Sequence, residues 1–165
     1  MFGFGKKKIT VAAPVAGSLI DITDVKDEVF SSKMMGDGFA VEPEGDTIVA
    51  PCDGKIVLLA HTLHAVAIEH EGVELLIHIG LDTVELDGKG FTASVSNGDM
   101  VKKGDALIQF DPAYLTAQQK PLTTMVVPHR KIGIEAGRAL LERLNDGDWR
   151  DQKPIASSLC LRESC

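Results

Sequence analysis

A strand–turn–strand pattern between residues 62 and 84 constrains this chain more than any other stretch: T-L-H-A-V-A-I-E-H-E-G-V-E-L-L-I-H-I-G-L-D-T-V. Ala65 to Glu69 and Val73 to Ile79 are rich in β-branched and aliphatic residues, and a polar triplet, His70-Glu71-Gly72, divides them. A three-residue hairpin loop ending in glycine is favoured because its last residue takes the left-handed conformation. Such a loop predicts the register: Glu69 opposite Val73, Ile68 opposite Glu74, Val66 opposite Leu76, and His64 opposite His78. Side chains alternate along a strand, so positions 64, 66, 68, 74, 76 and 78 share one face. Two histidines then stand opposite each other, Cβ atoms about 5 Å apart, on an otherwise apolar surface.

The rest of the chain supplies strands to pair with this hairpin. Ile9 to Ile20 and Ile48 to Val57 both contain Ala-Pro-x-x-Gly between apolar runs, an internal repeat. Each copy predicts a strand that stops at Pro, turns at Gly and restarts. Asn97-Gly98-Asp99 and Lys103-Gly104-Asp105 mark two more turns, the first with the Asn-Gly signal of a hairpin. Asp24 to Val41 lacks a clean period and predicts a loop over one face, with Phe30, Met34, Met35 and Phe39 as either a satellite core or an apolar docking rim. Asp111 to Gln119 predicts a short helix capped by Asp111 with Pro112 first. Leu122 to Val127 predicts a strand, Ile134 to Leu144 a helix ended near Gly147, and Ile155 to Leu161 a last strand. The expectation is an all-β fold, a compact antiparallel β-sandwich with internal duplication and one or two short helices. Residues 1–8 read as a loose tail, with Phe2, Phe4 and Lys6 to Lys8 as a weaker membrane-surface reading. Residues 9–165 read as a single domain.

Composition closes off several function classes. The net charge of −7 argues against nucleic acid, whose phosphates need a basic partner surface. Three cysteines without motif spacing fit a reducing compartment, so a cytoplasmic location is expected. No secretory signal or membrane-length apolar run is present in the sequence.

A facing histidine pair suits three chemistries. Metal binding needs a third ligand, and Glu74 and Asp82 are the nearby candidates, without an H-E-x-x-H or a cysteine pair. General acid–base work needs a nucleophile motif such as G-x-S-x-G, which is missing. Nucleophilic attack on phosphorus needs one neutral imidazole, and the second can donate to the transferred oxygens. Thr62 stands two residues before His64 and can fix its tautomer; Asp82, four residues after His78, can act on its charge.

The run from Val73 to Phe91, V-E-L-L-I-H-I-G-L-D-T-V-E-L-D-G-K-G-F, resembles the signature of glucose-type enzyme IIA (EIIA) components of the bacterial phosphoenolpyruvate-dependent sugar phosphotransferase system. Asp21 to Val41, the two Ala-Pro-x-x-Gly turns and T-x-H-A-x-x-I from Thr62 to Ile68 resemble the same family in the same order, from about Val11 to Val127. The resemblance implies that His78 carries the phosphoryl group on Nε2, that His64 stabilises it and that Thr62 orients His64. It implies phospho-HPr, the histidine-containing phosphocarrier protein, as donor and the cysteine of an EIIB domain as acceptor. Regulatory targets and a membrane permease reached through EIIB would be further contacts. Phe30, Met34, Met35, Leu76 and Val84 would form an apolar docking ring. No cofactor is implied; zinc through His64 and His78 belongs only to complexes with a partner. The loop between the histidines is one residue shorter than in enteric members, and residues 128–165 diverge from the family pattern. Two alternatives remain: a biotin- or lipoyl-type carrier modified at Lys33, and a zinc-binding protein on a related duplicated motif.

Overall fold

Proline removes a ladder donor and glycine permits a sharp turn, so each Ala-Pro-x-x-Gly segment should end one strand and begin another. A computed structural model describes residues 7–129 and 158–161 and shows this. β1 (Lys7–Thr10) stops before Pro14 and β2 (Gly17–Asp21) starts at the glycine of the first copy. After a 3-10 turn at Ile22–Asp24 come the one-turn helix α1 (Glu28–Ser31) and β3 (Phe39–Pro43). β4 (Thr47–Val49) stops before Pro51, and β5 (Gly54–Leu59) starts at the glycine of the second copy. The hairpin β6 (Ala65–His70) and β7 (Val73–His78) follows, then a 3-10 turn at Thr83–Leu86. β8 (Phe91–Ala93), β9 (Met100–Val101), β10 (Ala106–Phe110), α2 (Pro112–Ala117), β11 (Thr124–His129) and β12 (Ser158–Leu161) complete the described elements.

All pairings among the described residues are antiparallel. A seven-stranded sheet runs β2-β3-β11-β7-β6-β5-β9, a three-stranded sheet runs β4-β10-β8, and β1 pairs with β12. The main core fills the space between the two larger sheets with Ile48, Ile108 and Phe110 on one side and Val66, Ile68, Leu75 and Ile77 on the other. A second cluster covers the opposite face of the seven-stranded sheet, where Ile22, Val25 and Phe30 pack on Ala65, Ala67, Leu76 and Met125. The expected antiparallel sandwich is thus observed.

The duplication has a physical trace. Ala12 N–H donates to the Pro51 carbonyl at 2.9 Å, and Val49 N–H donates to the Pro14 carbonyl at 2.7 Å. Ala12 and Val49 each stand two residues before the proline of their own copy, so the two turns exchange equivalent bonds. In both copies the chain leaves one sheet at Pro and enters the seven-stranded sheet at Gly.

Other expectations meet mixed outcomes. α2 is capped as expected, Asp111 accepting from Tyr114 N–H with Pro112 first. The Asn97-Gly98 turn does not close a hairpin: β8 and β9 lie in different sheets, and Gly98 N–H donates to the Ile56 carbonyl. β1 begins at Lys7, inside the expected tail, because β12 gives it a pairing partner. Residues 1–6, the helix expected at 134–144 and most of the divergent end lie outside the described residues.

The hairpin register differs by one residue from that expected. Glu71 (φ 50°) and Gly72 (φ 82°) both take left-handed conformations, so the loop has two residues rather than three, as in a type I′ turn. His70 pairs Val73, Ile68 pairs Leu75, and Ala65 pairs His78. A one-residue slip exchanges faces. Ala65, Ala67 and Leu76 lie in the second cluster with His78 beside them, while Val66 and Ile68 lie in the main core. His64 is therefore not directly opposite His78; it stands just before β6.

Candidate active site

His64 reaches His78 by a route that strand alternation does not describe. Leu63 takes φ 56°, which turns the chain before β6, and Ile79 N–H donates to the His64 carbonyl at 2.8 Å. The two rings meet nearly edge to face, centroids 5.0 Å apart and planes at 75°. Phe30, from α1, also packs against His78, with ring centroids 5.1 Å apart. Both imidazoles are half-buried at one edge of the second cluster.

Each Nδ1 is engaged. His78 Nδ1 lies 2.9 Å from the Gly80 carbonyl oxygen. A carbonyl only accepts, so Nδ1 carries the ring proton and the neutral ring keeps its lone pair on Nε2. His64 Nδ1 lies 2.5 Å from the hydroxyl of Thr62, which is buried. A hydroxyl can donate to that nitrogen, leaving Nε2 of His64 as the N–H.

The electrostatics keep both rings uncharged at rest. Burial, the neighbouring His78 and then His61 push His64 down to about 4. His78 is also lowered, by burial, against the Gly80 carbonyl, Asp27 and Asp82, which all favour a positive ring. Burial sets the resting state, while the carbonyl and two carboxylates stand ready to support positive charge on His78.

Residues 9–131 match the family model for the phosphoenolpyruvate-dependent sugar phosphotransferase system, EIIA 1. The chain belongs to this EIIA family. Similar proteins include a PTS system glucose-specific EIIA component of Oceanobacillus iheyensis, 49% identical over 123 residues, which are 74% of this chain and 73% of that one. A PTS system glucose-specific EIIBCA component of Corynebacterium glutamicum is 43% identical over 138 residues, 79% of this chain but 20% of that longer protein. Among solved structures, glucose permease IIA from Mycoplasma capricolum superposes with TM-score 0.69 at 39% identity, covering 76% of this chain and 82% of that one. The EIIA chain is thus a phosphoryl-transfer component of the sugar phosphotransferase system, a transferase that works through a phosphohistidine and interacts with other components of that system. Among the described residues no helix is long and apolar enough to cross a membrane.

The expected docking ring separates into two classes in this EIIA. Met34 (44% exposed) and Val84 (50%) present apolar surface, and Met35 is half-buried. Phe30 and Leu76 are buried in the second cluster rather than lining the surface, and Phe30 packs on the His78 ring. Val29, next to Phe30, is 44% exposed and was not among the residues singled out from sequence. Asp82 is exposed, with φ 55°, and acts on His78 through its charge; its side chain makes no capping bond to the turn it precedes.

Sequence reasoning missed the Gly80 carbonyl, Asp27 and Asp37. Main-chain acceptors carry no residue-type signal, although a glycine two residues after a histidine hints at unusual backbone. Asp37 is buried with Oδ1 3.0 Å from Lys33 Nζ. Burial raises its carboxyl and the Lys33 ammonium opposes that. Lys33 is half-buried in this ion pair, not displayed on a hairpin tip as a carrier lysine would be. Glu74 stands four residues before His78, about 13 Å along an extended strand. Among the described residues no group of three or more His, Cys, Asp or Glu is arranged for a metal. Cys52 is buried, and burial pushes its thiol up to about 11, so it is a poor nucleophile.

Proposed function

We propose that His78 is the phosphoryl acceptor of this EIIA, that His64 stabilises the transferred group and that Thr62 orients His64. The observation that carries the reading is the Nδ1–H of His78 held by the Gly80 carbonyl beside a second imidazole. The donor is phospho-HPr. The Nε2 lone pair of His78 attacks phosphorus as the N–P bond of the donor histidine breaks, and that bonding pair returns to the donor ring. His78 keeps its Nδ1 proton, so its ring becomes positive as the bond forms. The Gly80 carbonyl, Asp27 and Asp82 favour that charge. His64 donates from Nε2 to a phosphoryl oxygen while Thr62 O–H donates to its Nδ1. Onward transfer reverses the step: a cysteine thiolate of an EIIB domain attacks phosphorus and the N–P pair returns to Nε2 of His78. No cofactor enters this reaction, and zinc through the two histidines would need a partner's ligand.

Met34, Met35 and Val84, with Val29, are proposed to seat HPr and EIIB in turn, the same apolar surface serving both because the phosphohistidine must face each. The name of the Corynebacterium relative supports EIIB as the acceptor, and the names of the relatives support a glucose-type permease. The transfer belongs in the cytoplasm. Incubation with phospho-HPr should label the wild-type chain and not His78→Gln; stoichiometric label on His78→Gln would refute the assignment. His64→Gln should accept label but pass it to EIIB about 100-fold more slowly, the cost of losing one transition-state donor.

A further inference from the structure

The carbonyl that holds the His78 proton is itself held on both sides. Leu81 N–H donates to the Pro121 carbonyl at 3.0 Å. Across a trans peptide the N–H and C=O point in opposite directions, so this bond turns the Gly80 carbonyl away from Pro121. His78 Nδ1 meets it at 2.9 Å. The preceding peptide is fixed from another direction, because Thr83 Oγ1 donates to the Ile79 carbonyl at 2.5 Å; one peptide further back, Ile79 N–H donates to the His64 carbonyl at 2.8 Å. Gly80 bridges these two anchored planes with φ 72°, a conformation costly for any residue with a Cβ. A Cβ there would lie 2.6 Å from Thr83 Cγ2 and 2.8 Å from the Pro121 carbonyl oxygen.

Thr83 is fully buried, yet a valine of the same shape would fill its space without a polar atom to satisfy. What its hydroxyl adds is a fixed orientation for the Ile79–Gly80 peptide. We propose that Thr83 is a positioning residue for phosphoryl acceptance. Through the Ile79–Gly80 peptide its hydroxyl keeps the Gly80 carbonyl on His78 Nδ1, and this keeps Nε2 unprotonated. The inference rests on the reading of His78 as acceptor, but its first readout needs no phosphoryl donor.

The test is long-range 1H–15N NMR of the neutral protein, combined with single-turnover labelling by purified phospho-HPr at saturating concentration. In the wild type, Nδ1 of His78 gives a protonated-type shift and Nε2 a bare-type shift. In Thr83→Val both shifts should move toward the average of the two tautomers. The labelling rate should fall about three- to tenfold, the worth of one neutral hydrogen bond, without a matching loss of HPr affinity. Thr83→Ser, which restores the hydroxyl, should restore both. A folded Thr83→Val with wild-type nitrogen shifts and rate overturns the proposal, as does a loss that serine fails to recover. If valine is not tolerated, Thr83→Ser against Thr83→Ala decides the question, since that pair differs only in the hydroxyl. If label in the wild type appears away from His78, the acceptor reading fails, while the nitrogen shifts still decide whether Thr83 sets this ring.

Discussion

Acidification from pH 7 to 5.5 should leave His64 almost uncharged. A free imidazole, with a pKa near 6.5, is about 90% protonated at pH 5.5. His64, pushed down to about 4 by burial and then by His78 and His61, should be only about 3% protonated at that pH. His78 moves in the same direction, because burial outweighs the Gly80 carbonyl, Asp27 and Asp82. The folded-state values lie below the unfolded value, so the unfolded chain takes up protons first as pH falls. Stability tied to the neutral rings is therefore full above about pH 6.5 and is lost progressively as pH falls toward about 4. Histidine ring shifts followed by 1H–15N NMR from pH 7.5 to 4.5 give the titration, and urea midpoints at the same pH values give the stability. His64 titrating near 6.5, or urea midpoints independent of pH over this range for both histidines, would refute the claim that packing holds these rings neutral.

Four substitutions test other parts of the account. Gly80→Ala and Gly104→Ala both place a Cβ at positive φ, costing about 1 kcal/mol each. Gly104 has open space around it, whereas Gly80 faces Thr83 and a rigid backbone oxygen. Urea unfolding should show Gly80→Ala less stable than Gly104→Ala by about 1–3 kcal/mol, and equal losses would contradict the packing. Thr62→Val should slow transfer to EIIB about five- to tenfold while label on His78 stays stoichiometric; unchanged onward transfer would remove Thr62 from the site. Met34→Asp should change stability by less than about 0.5 kcal/mol because the side chain is exposed, yet raise KM for HPr well beyond any change in kcat. A wild-type KM would move the docking surface elsewhere.

Much of the fold is legible because proline and glycine act locally. The paired Ala-Pro-x-x-Gly turns mark where strands change sheets, and the Asp111-Pro112 cap marks α2 without any knowledge of tertiary contacts. The hairpin register is not legible. Ala65 to Ile68 are all buried, on two faces of one sheet, so no alternation of polarity says which residues face which side. The turn gives no help either, since Glu71 takes a left-handed conformation more often filled by Asn, Asp or Gly. The two histidines were still found together, because His64 escapes the alternation altogether through the bend at Leu63. Thr62 on His64 was legible from a two-residue spacing. The Gly80 carbonyl is a main-chain acceptor with no residue-type signal, while the Asp27 charge and the division of the docking ring into buried and exposed members depend on how the segment from 22 to 38 folds over the sheet, and that segment has no period to read.

The most direct measurement is 31P and long-range 1H–15N NMR of the chain after reaction with phospho-HPr. The account predicts one phosphorus, bonded to Nε2 of His78, with Nδ1 of that ring still protonated and His64 unmodified. Phosphate on Nδ1 of His78, or on His64, would contradict it.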